Sequence, residues 1–471
     1  MTKKSLITIL TCGIPVVIAV IIMAAKPFSA ELNDRGQVML GVMLITLTIW
    51  IFKPFKLSFS AGGLFLAFSS LVLGLTPAVV FSGFTQSAVW TLIPALFFGY
   101  ALHKSGLGKR IALGIIKLFK PSYLSLIIAW VLIGVVLSIL TPSTTVRVAI
   151  ALPIAVQCCE LCKLEKGSKG NSLILLTAFA MALIPGAGWL NGVLWGPMIQ
   201  GSINNAFNTQ VVTFDSWFGV MFLPMVVITV LLVAGSLVVL GPKEKLSQEA
   251  IASLKETHAG KMTRQEAITA VILVVVFGMF LTNRFHHIPD AAVCLAATFL
   301  LFLLGILEAK DFNIGVSWDL IVFIAMALSL NAIFIETGIS RWLAGIIVPA
   351  LAPIAGSPWL FMYGIIIIMF LWRFVDVAAF IPTIAILSPI LPSIQAAYGI
   401  SPLLWPAIFI MAGNAFFLAY QNIWAVMGQS IAGDRAWTSK HLGTYGVLYF
   451  AACLITLLAA IPMWINAGLF R

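Results

Sequence analysis

The chain has 471 residues, of which 61% are hydrophobic and 9% are charged. Soluble proteins of this length are far less apolar. The composition therefore excludes a soluble protein and indicates a membrane protein. The formal net charge of +11 does not by itself indicate nucleic-acid binding, because the positions of the charges matter more than their sum.

Apolar runs long enough to cross a bilayer as helices recur along the whole chain. Backbone N–H and C=O groups in the lipid must form their hydrogen bonds within the protein, which favours helices or a closed β-barrel. The sequence has no alternating pattern of polar and apolar residues that would favour a barrel, so the spans should be helical. The first run is too long for the apolar part of a secretory signal, so we interpret it as a retained helix. We predict about eleven transmembrane helices, near 7–25, 36–52, 57–75, 86–102, 171–200, 214–240, 265–283, 288–307, 317–336, 402–430 and 441–468.

Two further pairs of short apolar runs lie at 123–140 with 146–160 and at 357–372 with 378–396. If each pair is a re-entrant hairpin that enters and leaves on one side, twenty of the 27 Lys and Arg residues share the side of the N-terminus. Five lie on the other side, and Arg147 and Arg373 lie within the membrane. By the positive-inside rule, the N-terminus is cytoplasmic and the C-terminus extracytoplasmic. The net charge therefore reflects topology, and we expect no nucleic-acid partner.

The basic segment 103–122 comes directly before the first pair. Its amphipathic pattern predicts a helix along the inner membrane surface, and a solvated loop is the alternative for its first part.

The stretch LTPSTTVRVAIALPI, at 140–154, interrupts the first apolar pair with hydroxyls and one cation. A hairpin tip in mid-membrane is tolerated only if it lines a cavity or is buried in protein. Hydroxyls at such a tip can coordinate a cation or donate to an anion, and the helix that begins there adds its positive dipole end. Arg147, in the first turn of that helix, has the forked donors that suit a carboxylate or sulfate.

The two halves of the chain resemble each other. KSGLGKRIALGII at 104–116 is similar to ETGISRWLAGII at 336–347, and each precedes a broken apolar pair. A long interrupted span follows each pair, at 184–198 and at 411–430. We predict a first half at 1–241 with a hairpin near 123–160, a cytoplasmic linker at 242–264, and an inverted second half at 265–471 with a hairpin near 357–396. Interrupted segments at matching places in inverted halves indicate the site of a secondary transporter.

These residues resemble the divalent anion/sodium symporter family, which carries dicarboxylates, citrate and sulfate. The family has Ser-Asn-Thr at both hairpin tips, which hold sodium and the substrate carboxylate. Here the first tip has Ser143-Thr144-Thr145, and the second has Ala379-Phe380-Ile381, which offers no side-chain oxygen, with Asp376 three residues earlier. The resemblance implies a homodimer that works as an elevator, in which a hairpin-bearing domain slides against a dimerising scaffold.

We therefore predict a secondary active transporter of a divalent organic anion (C4-dicarboxylate, tartrate or citrate type) or sulfate in the inner membrane, cation-coupled or exchanging. No cofactor is expected beyond sodium as a coupling ion. The predicted substrate ligands are Ser143, Thr144, Thr145, Arg147, Asn191, Gln421 and Asn422. The predicted cation ligands are Ser143, Thr144, Gly186, Gly188, Asp376 and Asn414, and no site for a bound metal is expected.

Each of these residues has a structural alternative. The tip hydroxyls could be helix caps, Arg147 could pair with a distant acid, and Arg373 and Asp376 could neutralise each other. The amides could satisfy the backbone of the broken spans, and Trp189 and Trp195 are more typical of packing aromatics.

Other functions are weaker. A cation/proton antiporter of the same fold group could use Asp376 as its ion ligand, and an anion channel could use re-entrant loops. The sequence has no HExxH or Walker motif, which disfavours an enzyme. The CCELC cluster at 158–162 has no second ligand pair and is interpreted as reduced packing thiols.

Overall fold

The structure, a computed structural model, describes residues 3–120, 122–242, 246, 260–377 and 380–470, with side chains from residue 12 onward. Most of the predicted linker 242–264, and Ala379 at the second tip, lie outside these residues. Within them the regular structure is helical, apart from one isolated antiparallel bridge between Ile400 and Phe470. The predicted all-α fold is confirmed.

The helices longer than a single turn are numbered in chain order. They are α1 Lys3–Ala25, α2 Asp34–Phe52, α3 Phe59–Val72, α4 Ser87–Lys104, α5 Leu107–Lys117, α6 Tyr123–Leu140, α7 Thr144–Leu161, α8 Lys169–Leu183, α9 Trp195–Phe207, α10 Phe214–Leu240, α11 Arg264–Leu281, α12 Asp290–Leu303, α13 Trp318–Thr337, α14 Ile339–Ala355, α15 Pro358–Trp372, α16 Ile381–Leu387, α17 Leu391–Tyr398, α18 Trp405–Gly413, α19 Ile423–Ala432 and α20 Ser439–Asn466. In the described chain, nine helical segments are long and apolar enough to cross a membrane, and six shorter apolar helices accompany them.

The first hairpin consists of α6 and α7, joined by residues 141–143. Its two ends meet at the start of α8, where Tyr123 packs against Gly170 and the Cys159 thiol lies 3.9 Å from the carbonyl oxygen of Asn171. Its tip lies at the far end of α8, where Trp189 Nε1 donates to the Ser138 carbonyl at 3.2 Å. Because α8 is roughly 20 Å long, the hairpin starts and finishes at one end of the protein and its tip reaches the interior.

The second hairpin consists of α15, α16 and α17. Near its base, Ser401 N–H donates to the Leu469 carbonyl at 2.9 Å, beyond the C-terminal end of α20. The base of the first hairpin lies at the other end of α20, where a His441 ring nitrogen is 2.7 Å from Ser172 Oγ. The two hairpins therefore enter from opposite ends of the same long helix. The inverted repeat of the two halves stays a prediction.

The segments that precede the hairpins also correspond. Gly106, before α5, and Gly338, before α14, cap these helices with the same left-handed backbone, at φ of 81° and 79°. A side chain at either position would be strained, which explains why both segments carry glycine there. Residues 107–117 form the predicted amphipathic helix, whereas the first part of the segment, 103–106, is the end of α4 followed by a turn.

The helices pack as two groups. The scaffold group, α1–α4 with α11–α13, is held together by contacts such as Gly83 N–H to Ser329 Oγ at 2.9 Å and Ser60 N–H to Asp319 Oδ1 at 2.7 Å. The hairpin group contains both hairpins, α8–α10 and α18–α20. Helix α4 lies at the boundary, where Gly99 approaches Ser143 so closely that an added Cβ would be 2.8 Å from the Ser143 Cβ.

Candidate functional site

The tip of the first hairpin is built from short side-chain to backbone hydrogen bonds. Thr141 has extended backbone, and its Oγ1 accepts a hydrogen bond from Ser143 N–H at 3.0 Å. Ser143 caps α7, because its Oγ accepts from Val146 N–H at 3.4 Å. The capping role that the sequence left open therefore applies to Ser143 in this conformation.

The next residues connect this tip to both interrupted spans. Thr144 Oγ1 accepts from Arg147 Nη2 at 2.9 Å, and Arg147 Nη1 donates to the Gly192 carbonyl at 2.6 Å. Thr145 is exposed on the other side of the helix, and its Oγ1 accepts from Trp424 Nε1 at 3.1 Å. The structure therefore brings the hydroxyls and Arg147 together, with Thr145 facing the second interrupted span.

Arg147 is fully buried. Among the described residues, no acidic side chain lies within pairing distance of its guanidinium, and its Nε has no hydrogen-bond partner. A guanidinium has five N–H donors, and a buried cation inside a membrane is costly and usually marks function. The arrangement suits an anion whose oxygens accept the hydrogen bonds that Arg147 does not make within the protein.

The first broken segment, 169–207, explains why α8 stops. Helix α8 ends at Leu183, two 3₁₀ turns follow at Pro185–Gly188 and Leu190–Gly192, and α9 begins at Trp195. A Cβ at Gly186 would lie 2.6 Å from Arg147 Nη1 and 2.5 Å from the Gly192 oxygen, so only glycine fits beside the guanidinium. Gly188 has ordinary space around it, with no atom closer than 3.5 Å.

Three polar or aromatic side chains of this segment were singled out in the sequence. Asn191 is 8% exposed, and neither polar atom of its amide has a hydrogen-bond partner of normal geometry in the described chain. Trp189 donates to the first hairpin, and Trp195 packs against Trp424 with ring centroids 5.4 Å apart. The packing interpretation fits both tryptophans, whereas Asn191 is open to a ligand.

The second broken segment, 405–432, leaves a 3₁₀ turn at Ala419–Gln421 between α18 and α19. Asn422 Oδ1 caps α19 by accepting from Trp424 N–H at 3.1 Å, and Gln421 Oε1 accepts from Leu418 N–H at 2.9 Å. The side-chain nitrogens of Asn414, Gln421 and Asn422 are buried and have no partner in the described part of the chain. These oxygens satisfy the local backbone, while the nitrogens are available as donors.

Arg373, at the end of α15, is the counterpart of Arg147. It is 1% exposed, its Nε donates to the Gly413 carbonyl at 3.1 Å, and its other nitrogens donate to the main-chain carbonyls of Gln421 and Asp376. The Asp376 carboxylate accepts hydrogen bonds from the N–H and the hydroxyl of Thr383. Arg373 thus holds the backbone of the second break. The sequence reasoning missed this role and Thr383, because main-chain acceptors carry no residue signature.

The site is rich in donors and poor in acceptors. The described residues contain no group of three His, Cys, Asp or Glu side chains that could hold a metal ion. Around the first tip lie Ser143, Thr144, Arg147, Gly186 and Asn191, and around the second lie Asp376, Asn414 and Gln421. Their assignment to substrate or cation remains a prediction.

Comparison with known proteins gives a consistent result. A family model described as the sodium:sulfate symporter transmembrane region matches residues 7–467. The chain is 25% identical over 398 residues to the chloroplastic dicarboxylate transporter 1 of Spinacia oleracea, covering 82% of this chain and 69% of that protein. It is 26% identical over 346 residues to the L-tartrate/succinate antiporter of Escherichia coli strain K12, covering 72% and 69%.

A solved structure, that of the Alcanivorax borkumensis YdaH transporter, matches over 100% of both chains with a TM-score of 0.55 and 14% sequence identity. At this identity the likeness concerns the fold alone.

Proposed function

The chain belongs to the sodium:sulfate symporter family, and from this premise we propose that it carries a C4-dicarboxylate or its hydroxylated form, such as tartrate, across the cytoplasmic membrane. It is a multi-pass membrane transporter of divalent anions and not an enzyme. Relatives named for dicarboxylates and for tartrate and succinate support this substrate class.

One observation carries the proposal: the buried Arg147 guanidinium has no acidic partner among the described residues and keeps an unused Nε donor. At the two breaks, the amide nitrogens of Gln421 and Asn422 have no partner among the described residues, and the amides of Asn191 and Asn414 contact only Asp290 and Tyr449. An unpaired buried donor costs about 1–3 kcal/mol, so a ligand that supplies several acceptor oxygens recovers this energy. A dicarboxylate supplies four, and it also neutralises the buried positive charge.

The same geometry favours exchange over sodium symport. Guanidinium groups already donate to the main-chain oxygens of Gly192, Gly413 and Gln421, which leaves fewer free oxygens at these breaks for a sodium ion. Phe380 and Ile381 at the second tip add no side-chain oxygen. The two fixed positive charges also disfavour a mobile cation beside them, and on this proposal the carrier returns with a second anion.

The proposed motion is an elevator. The hairpin group would slide as one body against the scaffold group, because Arg147 and Arg373 tie each hairpin to its broken segment. Gly99 on α4 and Gly201 on α9 keep the boundary between the groups free of bulky side chains. A homodimer built through the scaffold group completes this proposal.

One observation favours a second function. The Asp376 carboxylate is 1% exposed inside an apolar hairpin, which would suit a proton or cation carrier of the same fold group.

Purified protein tests the proposal directly. In a thermal-shift panel of sodium, lithium, succinate, citrate, tartrate and sulfate, a dicarboxylate should raise the unfolding temperature, since a ligand at 100 times its Kd adds about 2.7 kcal/mol to stability. Proteoliposomes loaded with the stabilising anion should then show saturable counterflow without sodium. Stabilisation by a cation alone, with no anion effect, would favour the Asp376 carrier. Flux that neither saturates nor shows counterflow would indicate a channel.

A further inference from the structure

A polar cavity of about 330 Å³ lies between the scaffold group and the hairpin group. Its lining includes Gln86 and Thr91 on α4, Gln200 and Asn204 on α9, and His287 and Asp290 before and at the start of α12. The described residues that line it include neither Lys nor Arg, and Asp290 is the single acid among them. The loops around it belong to the predicted extracytoplasmic side, so the cavity opens toward the outside.

Asn191 connects this cavity to Arg147. Its amide faces the Asp290 carboxylate in the cavity wall. The next residue, Gly192, accepts the hydrogen bond from Arg147 through its carbonyl oxygen. Asn191 is 8% exposed, and apart from its contact with Asp290 its amide has no hydrogen-bond partner in the described chain, so its remaining hydrogen-bonding capacity is open to a ligand.

A small void beside Asn191, Thr91 and Pro142 is walled by apolar side chains, including Phe98 and Phe280. Thr91 lines both the void and the polar cavity, and Pro142 belongs to the tip of the first hairpin. The void therefore lies between the polar cavity and the hairpin tip.

We propose that the polar cavity is an outer binding station for the transported solute, with Asn191 passing a carboxylate from the station to Arg147. The station takes a small organic anion with hydroxyl or carboxylate groups, because amide side chains donate to both and discriminate little between them. This inference rests on the proposed dicarboxylate function. Asp290 limits how tightly the station holds the solute, since its negative charge weakens the binding of a dianion more than that of a monoanion.

Asp290→Asn tests the charge. The substitution keeps a side-chain oxygen for Asn283 Nδ2, which donates at 3.2 Å, and removes the negative charge that repels the solute and attracts the Asn191 amide. In proteoliposomes we expect the KM for succinate to fall roughly three- to tenfold, and the inhibition constant of monomethyl succinate, a monoanion, to fall less. Glu336→Gln is the matched control, because Glu336 is an exposed acid on the same predicted side outside the cavity, and it should change neither constant.

A second measurement tests occupancy. In a Cys12→Ser background, Gln200→Cys should react with an impermeant, negatively charged thiol reagent from outside and lose uptake, and succinate should slow the reaction. Thr209→Cys lies in the neighbouring exposed loop, outside the lining, and should react while uptake continues.

The station is refuted if wild-type protein exchanges succinate but Asp290→Asn leaves its KM unchanged or raises it, or if succinate fails to protect Gln200→Cys. A gain of cation dependence at Asp290 in place of a shift in succinate KM would also overturn it, in favour of a cation site. Absence of any divalent-anion transport by the wild type would instead remove the proposed function itself.

Discussion

Arg147 Nη1 lies 2.6 Å from the carbonyl oxygen of Gly192, so the first hairpin holds the backbone of the first broken segment through a charged side chain. Arg373 does the same for the second break, where its Nε lies 3.1 Å from the carbonyl oxygen of Gly413. A carbonyl freed by a broken helix in a membrane must find a donor, and a charge-assisted hydrogen bond is a strong one. Each arginine therefore fixes a break and leaves further donors for a ligand.

Substitution of Gly186 by alanine should displace the Arg147 guanidinium, because the new Cβ would lie 2.6 Å from its Nη1. We expect a loss of stability of about 1–3 kcal/mol, typical of overpacking, together with weaker succinate binding. Gly188→Ala is the matched control, since its nearest neighbour is 3.5 Å from the added Cβ. Thermal unfolding with and without succinate measures both effects, and equal behaviour of the two variants would contradict the packing argument.

Sided labelling tests the hairpins. Single cysteines at Lys120 and Lys163, which flank the first hairpin and are exposed, should both react with an impermeant reagent from the cytoplasmic side. Cysteines at Gly356 and Ala397, exposed at the base of the second hairpin, should both react from the other side. Labelling of either pair from opposite sides would show that the hairpin crosses the membrane, and would end the inverted-repeat prediction.

The elements of the first half were predictable because their signals are local. The break at 184–198 shows its glycines, and the tip at 140–147 interrupts pure hydrocarbon with hydroxyls and an arginine. The contact between Trp424 Nε1 and Thr145 Oγ1 was not predictable, because the residues lie 279 positions apart and no periodicity links them.

The second half was harder for a chemical reason. Asp376 was predicted as a ligand because it is an acid in an apolar run. Its hydrogen-bond partner Thr383 also lies among apolar residues, and nothing in the neighbouring sequence indicates this role. The acceptors of Arg373 are main-chain carbonyls, and every residue has one. The sequence shows which side chains could bind a ligand. Only the folded structure shows which main-chain carbonyls already accept a hydrogen bond from the protein.

Asp311, in the connection between α12 and α13, should stabilise the scaffold group in a pH-dependent way. Burial raises the pKa of its carboxyl, but hydrogen bonds from Lys104, from the Glu308 N–H and from Tyr100 outweigh burial and hold the pKa below its ordinary value. A depressed folded-state pKa gives stability that is complete above the unfolded pKa of about 3.9 and is lost as pH falls through the folded value.

Asp311→Asn should therefore lower the free energy of unfolding by about 1–3 kcal/mol at pH 7. The difference in this free energy between variant and wild type should narrow as pH falls below about 4. Tryptophan fluorescence during thermal unfolding follows both. Glu308→Gln removes the more exposed acid that also pairs with Lys104 and should cost far less. A gap for Asp311→Asn that widens at low pH would contradict the sign of the shift.

Uptake should depend on sodium weakly or not at all, because Phe380 and Ile381 at the second tip offer no side-chain oxygen and the two arginines already use main-chain oxygens at the breaks. Replacing external sodium with choline should leave the initial rate of succinate counterflow essentially unchanged. A control with impermeant sulfonate salts keeps ionic strength constant. A steep, sigmoidal dependence that requires two or more sodium ions would show that cations bind elsewhere in the site.

Arg147 provides the most direct test of the anion site. It donates a hydrogen bond to the Gly192 carbonyl, and we propose that it also binds the solute. Arg147→Lys keeps the charge but loses the fork that can bind two oxygens at once. Loss of a charged hydrogen bond costs about 1.5–3 kcal/mol, so succinate affinity should fall roughly ten- to a hundredfold. Thr144→Val removes the acceptor at 2.9 Å from Nη2 and keeps the guanidinium, so it measures the contribution of the Thr144 hydroxyl, itself a predicted ligand, separately.

Uptake per folded molecule separates the structural role of Arg147 from its proposed role in solute binding. The amount of folded protein is measured by size-exclusion chromatography. If Arg147 contacts the solute, Arg147→Ala should fold in reduced amount, because the Gly192 carbonyl loses its donor, and the folded fraction should transport almost nothing. Arg147→Lys should fold well and still bind poorly, whereas Thr144→Val, which keeps the guanidinium, should lose less affinity than either arginine variant. Normal affinity and turnover in well-folded Arg147→Ala protein would show that the anion binds elsewhere.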